Sequence, residues 1–170
     1  EISRRAEYIR VLMLEIERLH SHLLWIGVAG HLIGFDTVFM QAWRVREPIM
    51  WLAEKLTGNR KTYGMVVVGG VRRDITPEIS ADILEVVKKV EVETRIVEKA
   101  VIGDSAIHKR TRKVGWLSTE ETVKWSLVGP VARGRGVDID ARRDLPYAAY
   151  DEMDFKVPVD KARQLAVLET

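Results

Sequence analysis

A run of apolar residues at helical spacing, with no proline before Pro48, is the feature that most constrains the fold. Ile9, Leu12, Met13, Ile16, Leu19, Leu23 and Ile26 fall at steps of three and four. That spacing stacks side chains on one face of a helix. A long helix is therefore predicted from Arg5 to about Gly34. From Leu23 onward the polar face vanishes, so Leu23 to Met40 is expected to be the most buried part of the chain. A membrane span needs about 20 apolar residues, and an Asp inside one is costly. His31 and Asp36 interrupt this stretch, so a buried helix is expected over a span. Gly34 breaks the helix. Asp36 is then expected to cap a second one running to about Leu56, with a kink at Pro48 and a stop at Gly58.

Tyr63 to Val71 contains three consecutive valines, which favour a short strand ended by Gly69 and Gly70. Thr76-Pro77-Glu78 combines a cap, a proline at the first position and an acid in the first turn. It predicts a helix to about Ile102, closed by Gly103. Ser118-Thr119-Glu120-Glu121 is a capping box, predicted to open a short helix ending near Gly129-Pro130. Beyond that the chain is rich in Gly, Arg, Asp and Pro without helical period, and reads as ordered loop with short strands. The fold class is mainly α: a long-helix bundle core, a short β element and an irregular Gly/Arg-rich C-terminal region. Residues 1–170 read as a single domain, with a helical core over 1–103 and a short helix plus loop and strand over 104–170.

The chain carries no cysteine, so it offers neither a disulfide framework nor a thiolate metal site. No signal peptide opens it, because Arg4, Arg5 and Glu7 fall where an apolar segment is needed. Glu1 in place of Met suggests an internal or processed piece. The net charge of +2 gives no case for nucleic acid, and no aromatic residues interleave with the arginines as a stacking platform requires. There is no P-loop, and Gly134-Arg135-Gly136 lacks the third glycine of a dinucleotide fingerprint.

His20 and His22 lie two apart and cannot chelate together on a helix. Glu17 and His20 form one Glu-x-x-His without its counterpart. No protein-ligated metal is expected; His22 reads as a core histidine bonded to backbone and His20 as partly exposed. His31 and Asp36 are titratable groups in the most apolar stretch, where burial costs several kcal/mol unless they are paired. The alternatives are a proton-handling role or, for His31, a satisfied core position and, for Asp36, a cap. Arg72, Arg73, Arg133 and Arg142 sit on glycine-flanked loops. His108 to Arg143 holds nine Lys or Arg against four acids. Such arginines either dock an anionic partner or bridge loops to Asp138, Asp140, Asp144 and Asp151.

Several segments carry a family resemblance in the same order along the chain. They include Arg5-Ala6-Glu7-Tyr8-Ile9-Arg10, then Glu15, Arg18, His22 and Leu23, then Arg46-Glu47, Thr57-Gly58-Asn59-Arg60, Gly69-Gly70-Val71 and Asp74. Later come Arg133-Gly134, Asp140, Arg142, Pro146-Tyr147, Tyr150-Asp151 and Phe155-Lys156-Val157-Pro158. This pattern resembles the superfamily that joins the large subunits of nickel–iron hydrogenases to the quinone-module large subunit of complex I. The resemblance implies a subunit packed against a small iron–sulfur subunit, whose cluster delivers electrons, and against membrane-arm subunits. It implies a peripheral position on the cytoplasmic side of the cell membrane. The reaction it implies is proton reduction at a nickel–iron centre or, in the alternative, quinone reduction; a non-catalytic docking scaffold is the third alternative. No cofactor is expected to be bound by this segment, because the cysteine pairs of hydrogenases lie outside it. The isolated segment is expected to be inactive and to oligomerise.

Two departures bear on the branch. Complex I-like members carry an Asp where this chain has Leu32, and a cluster-proximal His where it has Thr62. The run Gly30 to Thr37 looks more like energy-converting hydrogenases. Implied site residues are His31 and Asp36 on a proton route, and Arg72, Arg73, Arg133 and Arg142 facing the iron–sulfur subunit. A shortening relative to the family is expected from Asp160 on.

Overall fold

The computed structural model describes residues 1–159; the expected shortening from Asp160 lies outside them. The chain divides into two compact units, Glu1–Ala100 and Val101 onward. Among the described residues the elements are seven helices, one two-stranded hairpin and a final 3₁₀ turn, so the mainly α class holds.

In the first unit, α1 (Arg4–Ile33) starts on Ser3, whose hydroxyl accepts from the Ala6 amide. It stops at Gly34, which takes a left-handed φ of 84° that a side chain resists. The helix α2 (Asp36–Thr57) follows after a two-residue turn and ends at Gly58. Gly30 of α1 lies against Val38, Gly27 against Ala42 and Trp43, and His20 against Arg46, so the two helices run antiparallel. The core sits along their seam. Val45, Ile49, Leu52 and Leu56 of α2 are buried there, as are Ile9, Met13, Ile16 and Leu23 of α1. Pro48 does not end α2, which continues through it; this packing offsets the missing hydrogen bond. The helix α3 (Pro77–Gly103) returns beside α2, joined to it by Arg44–Glu93 and Lys55–Asp82.

Three expectations for this unit are corrected. Leu23 to Met40 is not its most buried part. Trp25, Leu32 and Met40 are exposed, Leu32 by 79%. Over this stretch α2 covers one side of α1, and no described element of the unit covers the other. Asp36 is not the cap. Phe35 holds that position without a side-chain bond, and the Asp36 carboxylate turns to His31. The valine-rich segment is not one strand but a hairpin, β1 (Val66–Val67) and β2 (Gly70–Val71), pairing Val66 with Val71 and Val67 with Gly70. Arg10 of α1 anchors it, donating to the carbonyls of Val67 (2.9 Å) and Gly70 (3.0 Å).

The second unit is more helical than the sequence suggested. The helix α4 (Ser105–Thr111) starts on Asp104, whose carboxylate accepts from the Ile107 amide. The predicted capping box opens α5 (Thr119–Lys124) with both reciprocal bonds present. That helix ends at Trp125, short of the expected stop. Gly129–Arg133 forms α6 instead, with Pro130 in its first turn. Ala141–Asp144 forms α7, capped by Asp140, and Tyr150–Glu152 a 3₁₀ turn. No strand follows Val71 among the described residues. These helices are four to seven residues long, too short to show a hydrophobic period.

Candidate functional site

At the corner between α1 and α2, His31 Nδ1 lies 2.7 Å from Asp36 Oδ1. The left-handed turn at Gly34 places the last turn of α1 over the first of α2, so residues five apart in sequence meet. Both side chains are exposed, His31 by 61% and Asp36 by 74%. The premise of burial is therefore overturned, while the pairing itself is present. The His31 ring packs on Phe39, with centroids 5.4 Å apart, and Phe39 on Trp43 at 5.3 Å. With the carboxylate accepting from Nδ1–H, the other ring nitrogen, Nε2, keeps its lone pair.

Arg46 continues this row along α2. Its guanidinium lies over the Trp43 ring at 5.3 Å. It donates through Nε to the His20 carbonyl (3.1 Å) and through Nη2 to His20 Nε2 (2.5 Å). Arg46 is buried, at 7% exposure. Burial, then the Arg46 charge, then Lys61 lower the affinity of His20 for a proton. Burial and the Glu17 charge hold the nearby Tyr63 phenol protonated above its usual range.

The segment after α2 displays the first pair of predicted arginines. Arg72 donates through Nη2 to the carbonyls of Thr57 (2.7 Å) and Tyr63 (3.2 Å). It therefore caps the end of α2 while its chain stays at the surface. Arg73 is exposed and lies beside Gly58. Arg60 is held by both oxygens of Glu47, at 2.6 and 2.7 Å.

In the second unit, Arg133 and Arg142 converge on Asp140. Arg142 binds it through Nε (3.0 Å) and Nη2 (2.8 Å), and Arg133 through Nη1 (3.1 Å). The Asp140 side chain is 5% exposed. The Arg142 hydrogen bond, with the Arg133 charge behind it, holds its carboxyl down at about 2. Arg142 also lies over the Phe155 ring at 4.7 Å. Arg143 spans Asp138 (2.8 Å) and Asp144 (2.7 Å). The bridging alternative thus describes how Arg133 and Arg142 are held.

Sequence reasoning missed the roles of Arg10 and Arg46, and offered Asp140 only as one of four carboxylates for loop arginines to bridge. Arg46 had a visible signal: it sits beside the row Ala42, Val45, Ile49, Leu52, which is apolar throughout. A charge in such surroundings needs a partner. Nothing in the spacing of Asp140 marked it as the centre of an arginine pair.

The comparisons with known proteins agree with this architecture. The alpha subunit of the membrane-bound hydrogenase of Pyrococcus furiosus is 41% identical over 156 residues, which cover 92% of this chain and 36% of that protein. An NADH-quinone oxidoreductase subunit of Citrifermentans bemidjiense is 40% identical, with 94% of this chain and 41% of that protein covered. The chain thus spans well under half the length of either relative, and both are oxidoreductase subunits. Among solved structures, a chain of the membrane-bound sulfane sulfur reductase, an archaeal respiratory membrane complex, matches with a TM-score of 0.91 and 30% identity over 99% of this chain and 45% of that one. Residues 33–165, from the helical corner through the Asp140 group, match one family throughout. The paired long helices, the Gly-Gly hairpin and the Asp140-centred arginines therefore belong to a member of the respiratory-chain NADH dehydrogenase 49 kDa subunit family.

Proposed function

We propose that this chain is the core segment of the large subunit of a membrane-associated redox complex of the energy-converting hydrogenase type. The observation that carries this reading is the identity with a membrane-bound hydrogenase subunit over 92% of the chain. The resemblance favours the same branch, since Leu32 and Thr62 stand where it implies an Asp and a His in complex I-like members. The second reading, a complex I-type quinone-module subunit, rests on the family match and on the equally extensive identity with NADH-quinone oxidoreductase subunits.

The 170 residues do not fit a nickel–iron centre. Such a centre takes soft thiolate ligands, and the chain has no cysteine. Nor do the described residues gather three or more His, Asp or Glu that could hold a metal ion. Any such centre is therefore held by residues outside this sequence, and what these residues contribute is frame, charge and proton handling. Arg72 and Arg73 offer cationic side chains to an iron–sulfur subunit. Arg133 and Arg142, fixed on Asp140, keep a second loop in shape for the same docking. Among the described residues no helix is long and apolar enough to cross a membrane. The likeness to chains of membrane-bound complexes supports attachment through membrane-arm subunits, which we place on the cytoplasmic side. The exposed Trp25, Leu32 and Met40 make the isolated chain prone to self-association.

The test is the purified parent complex. Stoichiometric nickel with hydrogen evolution from a reduced dye is expected. Quinone reduction without nickel would transfer the chain to the complex I reading. Within that complex the His31–Asp36 pair acts as a proton relay. His31→Leu is expected to slow turnover roughly tenfold, at or below the low end of general acid–base effects, with assembly unchanged on a native gel. Wild-type turnover across the pH range would reduce His31 to a surface residue.

A further inference from the structure

The contact between His20 and Arg46 carries a constraint that the family membership does not. A guanidinium has five N–H donors and no acceptor. Arg46 Nη2 lies 2.5 Å from His20 Nε2, so that ring nitrogen must present its lone pair. The ring proton then sits on Nδ1, and the imidazole is neutral. Arg46 Nε donates to the backbone carbonyl of the same residue at 3.1 Å. Among the described residues, both hydrogen-bond acceptors of this buried guanidinium therefore belong to His20, and neither is a carboxylate.

We propose that the His20–Arg46 contact is a proton-sensitive latch across the α1–α2 seam, closed while the ring is neutral and opened when it takes up a proton. An imidazolium has no lone pair on Nε2. It would place a second cation within contact of the first, which is buried. The side-chain bond is lost and becomes repulsion.

The surroundings favour the closed state near neutrality. Arg46 faces the ring from α2, and Lys61 adds positive charge from the segment that follows. Tyr63, from that same segment, is held protonated and brings no negative charge. Glu17, one turn earlier on α1, is the carboxylate on that side, and it is exposed. Burial acts in the same direction as the cations. For the sign, the folded ring binds its proton more weakly than the unfolded one. Between the two values the unfolded state holds more protons, so stability rises with pH there. The latch's contribution is complete above the ordinary imidazole value of about 6.5 and fades as the pH falls below it.

Opening the latch would reach other groups. Trp43, on which Arg46 rests, sits directly over Gly27 of α1. The Arg72 anchor is on Thr57, at the far end of the same helix. Acidification would loosen the frame that holds the 58–74 segment.

The test follows the carbon-bound imidazole protons of the four histidines by NMR on the full chain, with His20 assigned by the signal missing in His20→Gln. In the wild type, His20 is expected to titrate with a midpoint below the ordinary one. The Arg46 Nε–H resonance should move with that same midpoint. In Arg46→Gln the His20 midpoint should rise towards the ordinary value. In parallel, the thermal midpoint of the wild type minus that of His20→Gln should fall as the pH is lowered below about 6.5. A His20 midpoint at or above the ordinary value overturns the latch, and so does one unmoved in Arg46→Gln or a pH-independent difference in thermal midpoint. If Arg46→Gln does not fold, the wild-type resonances decide alone: one shared depressed midpoint supports the latch, and independent titration overturns it.

Discussion

Asp140→Ala is expected to be the most damaging single substitution in the second unit, costing about 3–5 kcal/mol, the range for removing one partner of a buried ion pair. The carboxylate serves three groups at once. It binds Arg142 through two nitrogens and Arg133 through one, and it caps α7 by accepting from the Arg142 amide at 3.0 Å. Removing it leaves two largely buried guanidinium groups facing each other. Asp140→Asn separates the contributions, because the amide oxygen keeps the cap and loses the charge. Its cost should fall below that of alanine by about 1 kcal/mol, the worth of a cap.

The same carboxylate sets a pH dependence. Its folded value of about 2 lies below the ordinary 3.8. The pair's contribution is therefore complete above the ordinary value and is lost as the pH falls from about 4 towards 2. The shift corresponds to about 2 kcal/mol. Acid unfolding of the wild type should steepen in that window, and Asp140→Ala should lack this component. Hydrogen exchange over residues 129–158 is the direct readout. Protection in Asp140→Ala equal to wild type would refute the central role given to this residue.

Helix ends were the most legible part of this chain, because each is set by local chemistry. Gly34, Gly58, Thr76-Pro77 and the Ser118–Glu121 box mark the observed boundaries closely. Burial was less legible. The run from Leu23 to Met40 is apolar enough for a core, yet apolarity does not say which neighbour covers it. In this chain α2 covers one side, through Gly27, Gly30 and Val38, while Trp25 and Leu32 stay in the open. The candidate site divides in the same way. The His31–Asp36 pair depends on a five-residue separation across one glycine turn, so the sequence held it. The Arg46–His20 contact joins positions 26 apart through the pairing of two helices. Only the seam's register decides it, and a propensity reading has no access to that register.

That register is the object of the last prediction. Gly30→Val should cost about 3 kcal/mol, the upper end for overpacking a tight contact. A Cβ at Gly30 would lie 2.9 Å from Val38 Cγ1 and 3.2 Å from Val38 Cβ, with the Phe35 carbonyl oxygen at 3.4 Å. Val38 is buried and β-branched, so its side chain has essentially one helical rotamer and cannot swing aside. The first turn of α2 must move as a body, taking Asp36 away from His31. Gly30→Ala meets the same Cβ contact but adds no γ-methyls, and alanine gains about 1 kcal/mol over glycine within a helix, so it should be milder than valine. Gly27→Ala provides the contrast. Its Cβ would come still closer to an atom, 2.7 Å from Trp43 Cδ1, but Trp43 is partly exposed and its indole can rotate outward. Urea denaturation of the three variants should therefore rank Gly30→Val far below the other two, even though Gly27 has the shorter contact. If Gly27→Ala proved the more damaging of the two sites, contact distance rather than the freedom of the neighbour would govern this seam.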